Sequence, residues 1–80
     1  MNLRRKDLYV KAFGTHLRGL RLQQGLGMRE FADLAGIEYS QLSKIERGVT
    51  NPTLATVLLL ADTLGVRHNE LYEFDFPLAG

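Results

Sequence analysis

Side chains able to do chemistry are few in this chain, and they are not arranged for catalysis. The sequence holds two histidines, His16 and His68, 52 positions apart, and no cysteine. Serine, histidine and aspartate are all present, but no motif surrounds either histidine. Both are therefore expected to be exposed, and neither to act as a general base or a metal ligand. Without cysteine there is no disulfide framework and no thiolate metal site, and the composition fits a reducing cytoplasm. No metal and no cofactor are expected. Hydrogen-bonding groups gather instead at Tyr39, Ser40, Gln41, Ser43 and Lys44, which bring hydroxyls, an amide and an ammonium within six positions. Such groups can read the edges of base pairs. They would suit the solvated face of an ordinary helix equally well, so the surrounding elements have to be considered.

Eighty residues make one small domain. A chain of this size buries only about 60–65% of the surface its unfolded form exposes, so its core is modest and a two-layer enzyme with a deep cleft is excluded. Hydrophobic residues at 45% and charged residues at 24% are ordinary for a globular protein. The longest uninterrupted apolar run is the five residues 57–61, against roughly 20 for a membrane span. Arg4, Arg5 and Lys6 are followed by no apolar segment of the kind a signal peptide needs, so export is not expected.

Helical periodicity dominates the pattern, and strand alternation is nearly absent. Leu8, Val10, Phe13, Leu17, Leu20 and Gln24 recur at mainly three-to-four spacing, which predicts a first helix over 7–24. Gly14 and Gly19 inside it weaken the helix and point to close approach of another backbone. Gly25 fits the position that ends this helix. Gly27 stands at the next N-cap with Glu30 three residues on, half of a capping box. Phe31, Leu34 and Ala35 then mark a second helix over 28–35, stopped by Gly36. A third starts near Tyr39, with Leu42 and Ile45 facing inward and Gly48 at its end. Asn51-Pro52 breaks the chain before a fourth helix over 53–64, closed by Gly65. A fifth covers 68–74, ahead of a tail containing Pro77. These are the elements of a compact, all-α, five-helix domain.

Helices two and three form a helix-turn-helix, because two helices of about eight residues flank a short turn that opens with glycine. Ala32 is small where the two cross, and Ile37, Leu42 and Ile45 plug their shared core. Tyr39, Ser40, Gln41, Ser43 and Lys44 are left facing outward. Charge is divided along the chain: residues 1–52 carry nine basic and five acidic side chains, net +4, and residues 53–80 carry one basic and four acidic, net −3. Such a chain can offer one face to a polyanion.

Several segments closely resemble the XRE family, the phage-repressor and Cro type of helix-turn-helix protein. They are Leu17-Arg18-Gly19-Leu20-Arg21, Gly25-Leu26, Ala32, Ala35-Gly36-Ile37, Leu42-Ser43-Lys44-Ile45-Glu46-Arg47-Gly48, Asn51-Pro52-Thr53-Leu54 and Leu60-Ala61-Asp62-Thr63-Leu64-Gly65-Val66. The resemblance spans about 13–73, leaving 1–12 as an extension and the start of helix one, and 74–80 as a tail. It implies a lambda-repressor-like fold and a transcriptional regulator acting on double-stranded DNA, with a recognition helix over 39–47 in the major groove. Tyr39, Ser40 and Lys44 then match base-contacting positions, with Gln41 and Ser43 at their margins. Met28 matches a position where the family usually has a phosphate-holding glutamine; its side chain cannot do this, but backbone N–H groups at the helix start still can. Arg47, Asn51 and the backbone around Thr53 match a second phosphate clamp. Arg18 and Arg29 are either further phosphate partners or solvated charges. Glu38 replaces a small cap residue; its carboxylate either suits the helix dipole or accepts from a cytosine amino group. The resemblance also pairs Arg21 with Glu46 as a buried ion pair.

Helix four carries more apolar residues than one buried stripe needs. Two covers are open for the excess: the chain's own tail, through Phe74 and Phe76, or a second copy related by a two-fold axis. The second places a homodimer interface on helix five and its surroundings, with Leu58, Leu59, His68, Leu71, Tyr72 and Phe74 as candidates, and implies a palindromic operator. No effector domain is expected after helix five. The rival expectation is an antitoxin-type module that binds a toxin protein and regulates its own operon, with residues 74–78 as the candidate toxin-binding segment.

Overall fold

A computed structural model describes residues 3–75. Four α-helices follow one another: α1 (Leu3–Gln23), α2 (Met28–Ala35), α3 (Tyr39–Glu46) and α4 (Leu54–Leu64). A 3-10 helix (His68–Tyr72) completes the order. Helix α1 starts four residues earlier than its apolar periodicity predicts. The residues ahead of Asp7 contain no glycine or proline, so nothing in them stops a helix from running back to Leu3.

The helix ends follow one rule. Gly25, Gly36, Gly48 and Gly65 have φ between 70° and 73°, and in each case the following residue donates its N–H to a carbonyl five residues back, as Ile37 does to Ala32 at 3.0 Å. At Gly36 this left-handed closure lets the chain reverse within three residues and start α3, a geometry that any Cβ would strain.

Phe31, Leu17, Leu42, Ile45, Leu60 and Leu71 are fully buried at the centre. Each such side chain removed from water is worth about 1.5–3 kcal/mol. Helix α1 packs on α3 and on the 3-10 helix, α2 on α3 and α4, and α4 on the 3-10 helix.

Three expectations change. The fifth helix is a five-residue 3-10 turn, not an α-helix over 68–74. It is started by the Glu70 carboxylate, which accepts the Arg67 N–H at 2.6 Å, and a segment this short closes readily with i+3 bonds. Leu71 is not on an exposed face: it is fully buried against its own chain's core, and so is corrected out of the interface candidates. His16 is not free in solvent. It is half-buried, with Nε2 2.7 Å from the Glu70 carbonyl; since a carbonyl only accepts, Nε2 carries the donated proton.

Candidate nucleic-acid interface

Helix α3 is held by its inner face and presents the outer one. Leu42, Ile45 and Glu46 are buried, Tyr39 is 43% exposed, and Ser40, Gln41 and Lys44 are open to solvent. Ser43 is half-buried and accepts a hydrogen bond from Arg47 Nε at 3.1 Å. The five outward residues of the sequence pattern therefore share one surface, with Ser43 at its edge.

Two contacts position that helix. Arg21 Nε and Nη2 donate to Glu46 Oε2 and Oε1 at 2.7 and 2.9 Å, and Arg21 Nη1 donates to the Leu26 carbonyl at 2.7 Å. The hydrogen bond to Glu46 raises the guanidinium's affinity for its proton, and burial works against it. Gly14 supplies the second contact: a Cβ there would collide with the carbonyl oxygens of Ile45 and Glu46. Helix α1 thus rests directly on the last turn of α3. Gly19 has open space around the same position, so close backbone approach accounts for Gly14 and not for Gly19.

Two cations lie together beside α3. Arg18, Met28, Ser43 and Arg47, with Thr15 and Glu46, line one depression of about 440 Å³. It brings together a cation from α1, the start of α2 and the cation at the C-cap of α3. Gly27 caps α2 through its backbone only, with no side-chain hydrogen bond, so the first N–H groups of α2 are not claimed by a side-chain cap. Glu38 occupies the α3 cap position, likewise without a side-chain cap bond, leaving only its charge to favour the helix start. Asn51 is exposed. The Thr53 hydroxyl caps α4, accepting from the Thr56 N–H at 3.2 Å.

Sequence reasoning misses a contact between the starts of α2 and α3. The Arg29 guanidinium lies over the Tyr39 ring, 4.9 Å from its centroid. Nothing in their ten-residue separation signals it, because the contact depends on how the two helices cross.

The interface candidates are dispersed in their exposure. Leu59 and Tyr72 are 41% and 42% exposed, Leu58 is half-buried, and His68 is exposed, 3.3 Å from Asp62. Phe74 packs against the chain's own core, its ring 5.3 Å from that of His16. That residue begins the segment assigned to toxin binding; Phe76, Pro77 and Leu78 lie outside the described residues. No helix of the described residues is long and apolar enough to cross a membrane, and no His, Asp and Glu cluster among them could hold a metal ion.

A Helix-turn-helix family model matches residues 17–71. The chain is 44% identical over 57 residues to the HTH-type transcriptional regulator DdrOP3 of Deinococcus deserti, covering 71% of this chain and 44% of that protein. It is 41% identical over 61 residues to the HTH-type transcriptional regulator y4dJ of Sinorhizobium fredii, covering 76% and 79%. The chain therefore spans less than half of the first relative and about four-fifths of the second. Among solved structures it is similar to the restriction-modification controller protein C.AhdI of Aeromonas hydrophila, with a TM-score of 0.76 and 37% identity over 78% of this chain and 94% of that one.

Proposed function

Because this chain belongs to the helix-turn-helix family of the XRE type, we propose that it is a sequence-specific regulator of transcription that inserts α3 into the major groove of double-stranded DNA. The observation that carries this reading is the division of α3 into a locked inner face and an open hydrogen-bonding outer one. Tyr39, Ser40 and Lys44 contact base edges, with Gln41 and Ser43 at the margin. Arg18 and the N–H groups at the start of α2 by Met28 hold one set of phosphates, and Arg47, Asn51 and the backbone at Thr53 form the second clamp.

The chain acts as a homodimer on a palindromic operator. Leu58, Leu59, His68, Tyr72 and Phe74 surround the pairing surface, and a two-fold axis there sets the two α3 helices one DNA turn apart, roughly 34 Å. Exposed Leu59 and Tyr72 support this reading.

Selection of bound sequences from random duplex DNA at fixed salt tests it. A recovered palindrome is expected. With three or four phosphates neutralised per subunit, log K against log salt should slope at roughly −5 to −7. Recovery of no preferred sequence, or a flat salt dependence, would overturn the proposal.

A further inference from the structure

We infer that Arg29 reads a guanine from the start of α2, and that Tyr39 is the positioning residue that holds its guanidinium for that contact. The inference rests on the DNA-binding reading above and names one base in the site.

Arg29 is the second residue of α2 and Tyr39 the first of α3, and both are exposed. Their side chains meet with the guanidinium carbon 4.9 Å from the ring centroid, a separation at which a cation is attracted to the ring face. A guanidinium held over a ring face through its charge keeps its N–H donors available for a second partner. Among the described residues no hydrogen bond or ion pair claims those donors. A charged fork with its donors unspent therefore stands against Tyr39, at the N-terminal end of the α3 outer face.

A phosphate and a base edge make different demands on such a group. A phosphate accepts from many directions, and a swinging arm reaches it. The O6 and N7 of guanine accept two parallel N–H bonds in one plane, which needs a fork held at a fixed tilt. The depression that gathers the cations Arg18 and Arg47 does not include Arg29. Its partner is an aromatic ring on the reading helix instead. A guanidinium held against that ring fits base reading better than phosphate holding.

The test uses the full chain and selection from random duplex DNA at fixed salt, with Arg29→Ala, Arg29→Lys, Tyr39→Phe and Tyr39→Ala. The wild-type operator should contain one strongly preferred guanine per half-site. Arg29→Ala and Arg29→Lys should lose that preference and bind the operator about ten- to a hundredfold more weakly. Arg29→Lys should bind random duplex as the wild type does. Tyr39→Phe keeps the ring and should keep the guanine, and Tyr39→Ala should relax it at the same base pair. Thermal midpoints should be unchanged, since both side chains are exposed. A guanine preference that survives Arg29→Lys or Tyr39→Ala overturns this inference alone, as does an Arg29→Ala loss shared equally by operator and random DNA. A wild-type chain that selects no operator overturns both this inference and the reading beneath it.

Discussion

Arg21 and Glu46, 25 residues apart, form a two-pronged ion pair that is almost wholly buried and joins α1 to the end of α3. The third branch of the same guanidinium holds the α1–α2 connection through the Leu26 carbonyl. One side chain thus ties α1, the α1–α2 connection and α3 together. Its fork geometry is what a lysine could not supply.

Removing either partner strands a buried charge, so Arg21→Ala and Glu46→Ala should each lose about 3–5 kcal/mol in urea unfolding. The double variant should lose less than the sum of the two, because neither charge is then left alone. Strict additivity would show that the two do not act as a pair. The raised guanidinium titration also fixes a pH sign. A group bound more tightly to its proton when folded stabilises below its unfolded titration range and loses that only above it. Arg21 should therefore contribute no change in stability between pH 6 and 9, within about 0.5 kcal/mol.

The two glycines within α1 should respond oppositely to the same substitution. Gly14→Ala drives a methyl into the carbonyls of Ile45 and Glu46, and should destabilise by at least about 1–3 kcal/mol. Gly19→Ala meets open space and should stabilise by about 0.5–1 kcal/mol. Chemical unfolding of both variants checks this, and equal effects would contradict the packing of α1 on α3.

Reading and holding should separate in binding assays. Lys44→Ala and Ser40→Ala should relax preference at individual base pairs by about 1–3 kcal/mol. Arg47→Ala should weaken operator and random duplex alike, and make the salt slope shallower by about 1. If Lys44→Ala weakens all sequences equally, Lys44 is a phosphate contact and not a reader.

Leucines on α4 and on the 3-10 helix should behave differently. Leu71 is fully buried, and Leu71→Ala should lose about 2–5 kcal/mol with the fold of each chain. Leu59 is 41% exposed, and Leu59→Glu should keep the fold while abolishing self-association. Sedimentation equilibrium at micromolar concentration should give twice the 9.0 kDa chain mass for the wild type and the single mass for this variant. A wild-type mass that stays at one chain would reject the dimer.

The fold was legible in the chain because its signals are local. Three-to-four apolar spacing marks a helix wherever it packs, and glycine closes a helix through its own backbone freedom at Gly25, Gly36, Gly48 and Gly65. The candidate reading face was legible for the same reason: with Leu42 and Ile45 turned inward, a helical period leaves Tyr39, Ser40, Gln41 and Lys44 outside. Pattern describes what an element offers, and the three-dimensional packing decides what meets it. Gly14 and Gly19 carry the same local cost, but only Gly14 lies under the α3 carbonyls. Leu71 faces a partner only if 68–74 is an α-helix with an open side; the 3-10 helix packs against both α1 and α4, and Leu71 closes the core instead. His16 has no partner in its own stretch of chain, and gains one 54 residues away when the 3-10 helix brings the Glu70 carbonyl across α1. Arg29 and Tyr39 meet because α2 and α3 cross at their starts. Each of these depends on a distance between elements, and that distance is set by the whole core packing at once.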